Sequence, residues 1–437
     1  MKHRTQPDTD APGRTFRFVG PAQERAAVAE LLAAEGLAWE SLPLHPVAAR
    51  ALTEPIPLGR TLAARFGRIY IQDASSMLPP VVLAPPPGAM VLDMCSSPGS
   101  KTGLLSELVG PAGCVVANEP NPERLATLRR TLLETQRLNV VTCRHEGQSL
   151  PLAEGFFTHI QCDPPCSGWG TVEKHPKVAA LWRGDKVAPL VGLQRLLLRE
   201  AARLLAPGGR LVYSTCTTNV EENERQVAWA LEQLPLELVP VDPPPGFVFK
   251  TPEAPFGPRD CLLVDGEESR AQGFFLACFT KPGEMATVSH CPSPPPGQPV
   301  DADILRAAGA DPDAWDGEVY DFSGSCHFLP RLALERLAAA LRWQGVPVGR
   351  LTAKGLTMHP RAWGLIPRLQ DPHGQPMPPR VQAASLAELT GLFEGRAMQM
   401  PETPAGKDKT RAAGLWYGDL ALGWLHGKGS RALWTGR

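Results

Sequence analysis

Apolar runs of strand length alternate with stretches of helical periodicity through the middle of the chain. Five apolar runs end in small or polar residues: AMVLDM (89–94), CVVANEP (114–120), NVVTCRH (139–145), FFTHIQC (156–162) and GRLVYSTCT (209–217). Two long stretches between them, 122–138 and 187–205, repeat leucine at helical spacing. Strands that alternate with helices predict an α/β fold with a doubly wound, mostly parallel sheet, which binds ligands at the carboxyl ends of its strands.

The pattern changes on both sides of this segment. Residues 24–36 have helical periodicity and end at a glycine, so they predict a helix in a small N-terminal α/β domain. The apolar run GFFLACFT (273–280) predicts a closing edge strand, and the proline-rich acidic stretch after it predicts a linker. The chain is therefore expected to have four parts: an N-terminal domain (1–80), the α/β core (81–282), a linker (283–325) and a C-terminal domain (326–437).

Composition places the chain among ordinary globular proteins, with 43% apolar and 20% charged residues. No apolar run approaches the roughly 20 residues of a membrane span, and the start, MKHRTQPDTD, has no apolar signal segment. We therefore expect a cytosolic protein that contacts no membrane. In a reducing compartment the ten cysteines should be thiols, and no spacing among them predicts a metal site.

Charge is spread unevenly along the chain. The formal net charge is −1, but residues 341–437 contain thirteen Lys/Arg and six Asp/Glu, a balance of +7 that leaves −8 for the remainder. A basic terminal segment on a neutral chain is typical of a domain that contacts phosphate. The same segment contains five tryptophans that either stack on bases or form the core of a small domain: Trp343, Trp363, Trp416, Trp424 and Trp434.

Polar residues after the first three strands suggest a nucleoside-binding pocket. The first strand leads into a turn of small residues, Cys95 to Lys101, which lets a ligand approach the backbone and a helix N-terminus closely. The turn matches neither a Walker loop nor G-x-G-x-x-G. Glu119 after the second strand can accept the hydroxyls of a ribose, and Glu146 after the third can accept the amine of an adenine. A nucleoside with acidic partners and no phosphate cradle suggests S-adenosylmethionine.

Two cysteines follow the fourth and fifth strands. Cys166 comes after Asp163-Pro164-Pro165, and Cys216 lies in Ser-Thr-Cys-Thr. Adjacent strand ends should bring both thiols to one cleft. A thiolate that adds to C6 of cytosine makes C5 nucleophilic enough to accept a methyl group, and a second thiol can assist release of the product. Asp163 is suitably placed to hydrogen-bond the base.

These residues carry a resemblance to a known family. The segments that carry it are Gln72 to Ser76, Asp93 to Thr102, Asp163 to Gly168, Ser214 to Thr217 and Glu221 to Glu224. Together they resemble the Nol/Nop/Sun family of RNA cytosine-5 methyltransferases, whose core is a Rossmann-like, S-adenosylmethionine-dependent fold. Ser96-Ser97 stand where paired alanines are common in that family, and Glu146 stands where aspartate is usual.

The resemblance implies a role for each site residue. Cys216 is the nucleophile, Cys166 assists release, and Asp163 contacts the base; DNA cytosine-5 methyltransferases use the Pro-Cys cysteine as nucleophile, so this assignment depends on the resemblance alone. The donor pocket is assigned to Cys95, Ser96, Ser97, Pro98, Gly99, Ser100, Lys101, Glu119, Glu146 and Asp163. The N-terminal domain would be a family-specific RNA-binding domain.

The tail resembles the bacterial RsmF-type branch of the same family, whose members methylate small-subunit ribosomal RNA. Residues 341–366 and 415–424 carry this likeness, the latter part being similar to a PUA module. It implies 16S ribosomal RNA or the small subunit as partner. The alternatives are the same reaction on transfer RNA and a non-catalytic RNA-binding assembly factor that keeps the fold. We expect a monomer.

Overall fold

The structure, a computed structural model, describes residues 13–171, 187–284, 292–293, 295, 297–366, 369–370, 376–377, 379–401 and 412–436. The N-terminal part contains an antiparallel sheet of four short strands in the order β2-β3-β1-β4, with three helices. Its strands are β1 (Thr15–Phe18), β2 (Trp39–Ser41), β3 (Ala48–Ala51) and β4 (Ile69–Ile71), and its helices are α1 (Arg25–Ala34), α2 (Leu62–Arg65) and α3 (Leu78–Leu83). The helix predicted over 24–36 is confirmed as α1. The boundary predicted after residue 80 falls within α3, which packs against the core sheet.

The core is one large sheet in the order β11-β12-β13-β9-β8-β5-β6-β7, and β10 pairs with β13. Its strands are β5 (Met90–Asp93), β6 (Cys114–Asn118), β7 (Val140–Cys143), β8 (Phe157–Cys162), β9 (Leu205–Thr215), β10 (Glu237–Leu238), β11 (Phe249–Lys250), β12 (Cys261–Val264) and β13 (Phe274–Thr280). Its helices are α4 (Ser100–Val109), α5 (Pro122–Glu134), α6 (Ala188–Leu204) and α7 (Glu224–Gln233). The five predicted strands are parallel neighbours in the order β9-β8-β5-β6-β7, which confirms the doubly wound sheet.

The run GFFLACFT was predicted to be a closing edge strand, but it does not lie at the edge of the sheet. It forms β13, which lies between β9 and β12, and both neighbours are antiparallel to it. Phe274 to Phe279 are all buried, because both faces of β13 are covered. A continuous apolar run therefore indicated burial here, and the inference to an edge position was wrong.

The predicted linker is too long. Residues 298–358 form a five-stranded antiparallel sheet, β14-β15-β16-β17-β18, and the boundary predicted at 325/326 falls at the start of β16. Its elements are β14 (Gln298–Pro299), α8 (Ala302–Ala307), β15 (Gly317–Phe322), β16 (Ser325–Pro330), α9 (Arg331–Arg336), β17 (Val346–Thr352) and β18 (Gly355–Met358). β15 and β16 form a hairpin in which Phe322 is paired with Ser325. Proline and acidic residues were the signal for a linker, yet these strands bury Val319, Cys326 and Phe328.

The described residues from 369 onward include a second C-terminal sheet in the order β21-β23-β24-β25-β22 and a two-stranded ladder of β19 and β20. The elements are β19 (Leu369–Gln370), β20 (Pro376–Met377), β21 (Arg380–Gln382), α10 (Leu386–Phe393), β22 (Met398–Gln399), β23 (Ala412–Tyr417), β24 (Leu420–Lys428) and β25 (Arg431–Leu433). β21 and β23 are parallel, and the other pairs are antiparallel.

The C-terminal part packs directly on the N-terminal part. Arg68 is fully buried, pairs with Glu24 over 2.9 Å and places its guanidinium carbon 3.4 Å from the ring centre of Trp363. It also donates to the carbonyl of Ala421. Since a buried cation is costly without partners, these contacts fix the relative position of the two parts.

The C-terminal part also extends the edge of the core sheet. Gln344 and Thr142 exchange two backbone hydrogen bonds of 2.8 Å beside β7. The His145 ring nitrogen Nε2 lies 2.7 Å from the carbonyl oxygen of Leu341. The core sheet therefore continues into the C-terminal part next to the predicted adenine-binding loop.

Candidate active site

The two cysteines predicted to share a cleft are in contact. Cys166 follows β8 and Cys216 follows β9, and these strands are parallel neighbours with Cys162 opposite Tyr213. The two Sγ atoms are 3.2 Å apart. Both side chains are partly buried, and the backbone N–H of Gly170 donates to the carbonyl of Cys216 over 3.0 Å. The strand order thus brings residues fifty positions apart into one thiol pair.

The two thiols have unlike acidities. The hydrogen bond from Cys166 lowers the pKa of Cys216; burial and Asp163 oppose that shift, and the cation of Lys101 reinforces it. The same hydrogen bond raises the pKa of Cys166, together with burial and the negative charge of Asp163. Cys216 is therefore the better thiolate and Cys166 the better proton donor, because the hydrogen bond from Cys166 and the cation of Lys101 both favour the charged form of Cys216.

Lys101 and Asp163 form an ion pair beside the thiols. Lys101 Nζ is 2.7 Å from Asp163 Oδ2, and the hydroxyl of Ser214 donates to Asp163 Oδ1 over 2.8 Å. Burial opposes the charge on Lys101, but Asp163 outweighs it and raises the pKa of the lysine. Asp163 thus stands between the loop that begins α4 and the strand that leads to Cys216.

The loop from Cys95 to Lys101 connects β5 to α4 by the tight turn that the sequence predicted. Ser96 Oγ donates to the carbonyl of Asp93 over 2.7 Å, and Thr102 Oγ1 donates to Asp93 Oδ2 over 2.7 Å. Gly99 precedes α4 with φ of +104°, a backbone conformation that disfavours other residues. The loop is therefore held by Asp93 and leads directly into the N-terminus of α4.

Glu119 and Glu146 differ in environment. Glu119 directly follows β6 and is buried. Its Oε1 accepts a hydrogen bond from the backbone N–H of Asn121 over 3.0 Å, and Arg124 Nε is 3.3 Å from its Oε2. Glu146 is exposed in the loop after β7. Both follow neighbouring parallel strands, as predicted, and the side chain of Glu119 is fixed by its contacts with Asn121 and Arg124.

Sequence reasoning missed the residues that connect these loops. Asn118 is fully buried; it donates to the carbonyls of Met94 and His145 over 3.2 and 3.0 Å, and it accepts from the N–H of His145. Its amide joins the three loops of the predicted donor pocket. Glu222 joins the two cysteine loops in the same way, since it accepts hydrogen bonds from Ser167, which follows Cys166, and from Asn219, which lies three residues after Cys216. In the sequence, Asn118 was marked only by its place before Glu119, and Glu222 only by its place in the segment Glu221 to Glu224.

The five tryptophans of the tail are core residues. Each is at most 7% exposed, and Trp424 is 1% exposed with its indole N–H donating to the carbonyl of Ala362 over 2.7 Å. Trp434 packs edge-on against Phe66, with ring centres 5.4 Å apart. The interpretation that they stack on bases is therefore wrong, and the alternative core interpretation is confirmed.

Across the residues that the structure describes, no helix is long and apolar enough to cross a bilayer. Within the same ranges, no three His, Cys, Asp or Glu side chains are arranged to hold a metal ion.

Comparison with known proteins identifies the core. Residues 80–279 match the family described as 16S rRNA methyltransferase RsmB/F. A methyltransferase homolog protein from Pyrococcus horikoshii is 32% identical, with a TM-score of 0.54 over 62% of this chain and 87% of that one. The chain belongs to the RsmB/F methyltransferase family. The resemblance and the Rossmann-like, S-adenosylmethionine-dependent methyltransferase fold predicted from the sequence are both confirmed.

Two further relatives extend this family assignment. The Ribosomal RNA small subunit methyltransferase F of Klebsiella pneumoniae (strain 342) is 34% identical over 289 residues, which are 60% of this chain and 57% of that protein. The chain thus spans less than two thirds of the length of the curated relatives it matches. NSun6 from Pyrococcus horikoshii with SFG shares 20% identity and a TM-score of 0.54 over 63% of this chain and 93% of that one, and it supports the fold alone.

Proposed function

We propose that this RsmB/F protein transfers a methyl group from S-adenosylmethionine to C5 of cytosine in RNA. The observation that carries the proposal is the contact of two thiols at the carboxyl ends of adjacent strands, beside the Lys101–Asp163 pair. Two polar thiols in contact are poorly explained by packing alone. They match a reaction that needs one sulfur to attack and another to help it leave.

The residues of the predicted donor pocket fit S-adenosylmethionine chemically. The buried carboxylate of Glu119 suits ribose hydroxyls, and the N-terminal N–H groups of α4, behind the Gly99 turn, suit the carboxylate of the donor. The full set is Cys95, Ser96, Ser97, Pro98, Gly99, Ser100, Lys101, Glu119, Glu146 and Asp163. When bound, the donor supplies an electrophilic methyl group on a sulfonium.

The steps carried out by the protein's own residues follow from the lowered pKa of Cys216 and the raised pKa of Cys166. The Cys216 thiolate adds to C6 of the base, while Asp163, a carboxylate paired with Lys101, accepts a hydrogen bond from the amino group of the base and orients the ring for attack. Methylation leaves a proton on C5, and a base such as a water molecule takes up this proton as the Cys216–C6 bond breaks and Cys216 leaves as a thiolate. Cys166 lies 3.2 Å from the sulfur that leaves, close enough to exchange a proton with it.

We assign 16S ribosomal RNA, or the small subunit, as substrate. Support comes from the names of the family and of its relatives. The C-terminal sheet of β21 to β25 would be a PUA-like module that contacts RNA. Because its tryptophans are buried, contact falls to exposed basic residues of the C-terminal part, namely Arg342, Arg350, Lys354, Lys428 and Arg431. The N-terminal part would add a second RNA contact to a monomeric, cytoplasmic enzyme.

The test is transfer of tritiated methyl from S-adenosylmethionine to three separate substrates, 16S RNA, 30S particles and bulk transfer RNA, followed by nucleoside analysis. We expect label in 5-methylcytosine from a ribosomal substrate. Label confined to transfer RNA would replace the substrate and keep the chemistry. Absence of label from all three would favour a non-catalytic assembly factor.

A further inference from the structure

The residues that directly follow the two cysteines are hydrogen-bonded to each other. Ser167 Oγ and Thr217 Oγ1 are 2.8 Å apart, and both side chains are buried. Each residue is one peptide unit from a thiol. The separation of the two hydroxyls therefore constrains the separation of the two sulfurs.

Glu222 lies behind this contact and is completely buried. Its Oε1 accepts from the backbone N–H of Ser167 over 2.9 Å and from Gln194 Nε2 over 3.0 Å. Its Oε2 accepts from the hydroxyl of Ser167 and from Asn219 Nδ2, the latter over 3.3 Å. All four groups are donors, so both carboxylate oxygens are fully used.

The direction of the hydrogen bonds follows from this. The single hydroxyl proton of Ser167 goes to Glu222, so Thr217 must donate to Ser167. Thr217 Oγ1 in turn accepts from the backbone N–H of Asn219 over 3.2 Å. One carboxylate thus orders the hydroxyls that follow both cysteines.

The surrounding contacts hold Glu222 in place. Gln194 also donates to the carbonyl of Pro165 over 3.0 Å, immediately before Cys166. The hydroxyl of Tyr213 donates to the carbonyl of Glu222 over 2.7 Å, and Asn223 Nδ2 donates to the carbonyl of Thr217 over 2.9 Å. Both cysteine loops are therefore attached to residues 222–223 through buried hydrogen bonds, which are strong in a low dielectric.

We propose that Glu222 is a positioning residue that holds the Cys166 and Cys216 sulfurs in contact by binding Ser167 and, through it, Thr217. The consequence for methyl transfer rests on the function proposed above, whereas the effect on the thiols does not. Glu222 touches no reacting atom. Its effect comes from fixing the proton partner of the nucleophile, and a displacement of about 1 Å at such a site can cost about 100-fold in rate.

The variant Glu222→Gln tests this. The glutamine amide puts an NH₂ group in place of one carboxylate oxygen. Because the partners of both oxygens are hydrogen-bond donors, from Ser167, Gln194 and Asn219, at least one of these hydrogen bonds is lost. Glu221→Gln is the matched control, because Glu221 is the preceding residue, is exposed and pairs with Arg225. Melting temperatures of both variants establish that they are folded.

The first readout is oxidation of the full-length chain by diamide, without RNA or donor. Diamide takes up the two thiol hydrogens as a Cys166–Cys216 disulfide forms, and peptide mass spectrometry follows the rate. We expect rapid cross-linking in wild type and in Glu221→Gln. In Glu222→Gln it should be slower by about tenfold or more, because the orientation of the reacting groups is lost.

The second readout is steady-state kinetics. Glu222→Gln should lower kcat by about 100-fold while KM for S-adenosylmethionine stays within about twofold of wild type, the pattern of a lost transition-state contact. Unchanged cross-linking and unchanged kcat in Glu222→Gln would overturn the proposal. If Glu222→Gln cross-links more slowly than wild type but neither protein methylates RNA, the positioning role is supported and the proposed function is overturned.

If Glu222→Gln does not fold, Ser167→Ala carries the test. It removes only the hydroxyl that joins Glu222 to Thr217 and keeps the backbone N–H bond. Slower cross-linking in Ser167→Ala supports the positioning role, and a wild-type rate overturns it.

Discussion

Cysteines in the cleft and tryptophans in the tail were both suggestive in the sequence, yet they have opposite roles in the structure. Cys166 and Cys216 lie at strand ends, partly exposed, with polar and charged neighbours. The five tail tryptophans lie within sheets and between the parts of the chain, where they are buried. A chemically capable side chain thus indicates function when the fold places it at an open strand end, and packing when the fold encloses it.

The largest expected effect is at Cys216. Cys216→Ala should reduce methyl transfer about a thousandfold or more, because it removes the covalent step, while donor binding stays intact. Transfer assays and calorimetric binding of S-adenosylmethionine measure the two effects. Cys114→Ala is the control, since Cys114 is buried in β6 and burial raises its pKa to about 12, which disfavours the thiolate. Wild-type turnover in Cys216→Ala would remove the assigned nucleophile.

Cys166→Ala should stop the reaction later. Methylation proceeds, but release of Cys216 from the base fails, so a covalent enzyme–RNA complex accumulates. A denaturing gel shows the complex as a shifted band. Normal turnover without that band would mean that Cys166 is structural.

A tail tryptophan should affect stability and leave chemistry unchanged. Trp434→Ala removes a buried ring that contacts Phe66 and Phe393, and it should cost about 3–5 kcal/mol of the free energy of unfolding. The kcat per folded molecule and KM for RNA should be unchanged. Trp434→Phe retains ring contacts and should cost less, which denaturant unfolding will show. If Trp434→Ala instead has wild-type stability and a raised KM for RNA, Trp434 stacks on a base and is not a core residue.

The smallest effect concerns Asp93, beneath the donor loop. Burial raises its pKa from 3.8 to about 6, and Asp163 contributes in the same direction, against the hydrogen bond from Thr102. Protonation is therefore favoured by folding. The resulting stability is fully present below pH 3.8 and is lost as the pH rises through about 6.

Asp93→Asn should therefore stabilise the protein at neutral and alkaline pH, by at most about 3 kcal/mol, and have little effect in acid. The amide oxygen can still accept from Thr102. Melting temperatures of variant and wild type at about pH 4 and about pH 8 measure the difference. A difference that does not vary with pH would contradict this account of Asp93.

The core was predictable from sequence because local patterns determine it. Five apolar runs separated by helices imply strand order closely enough to bring Cys166 and Cys216 together, and the contact of their sulfurs confirms it. Glu119 was recognisable as a polar residue at a strand end. Its burial, compared with the exposure of Glu146, was not, because it depends on neighbouring loops.

Other features depend on contacts between distant segments. β13 has the composition of any buried strand, and only its pairing with β12 shows that it is not an edge. Proline and acidic residues suggested a linker where β15 and β16 pair, since those signals describe single residues and not their partners. The packing of Arg68 on Trp363 joins residues about three hundred positions apart, which no local pattern reports.

The most direct test of the central claim is to map the covalent bond between enzyme and RNA. RNA containing 5-fluorocytidine cannot lose a C5 proton after methylation, so wild-type enzyme should remain attached to it. Mass spectrometry of the digested complex should place the nucleotide on the peptide that contains Cys216. Attachment at Cys166 would reverse the assigned roles, and a product without any covalent bond would contradict the mechanism.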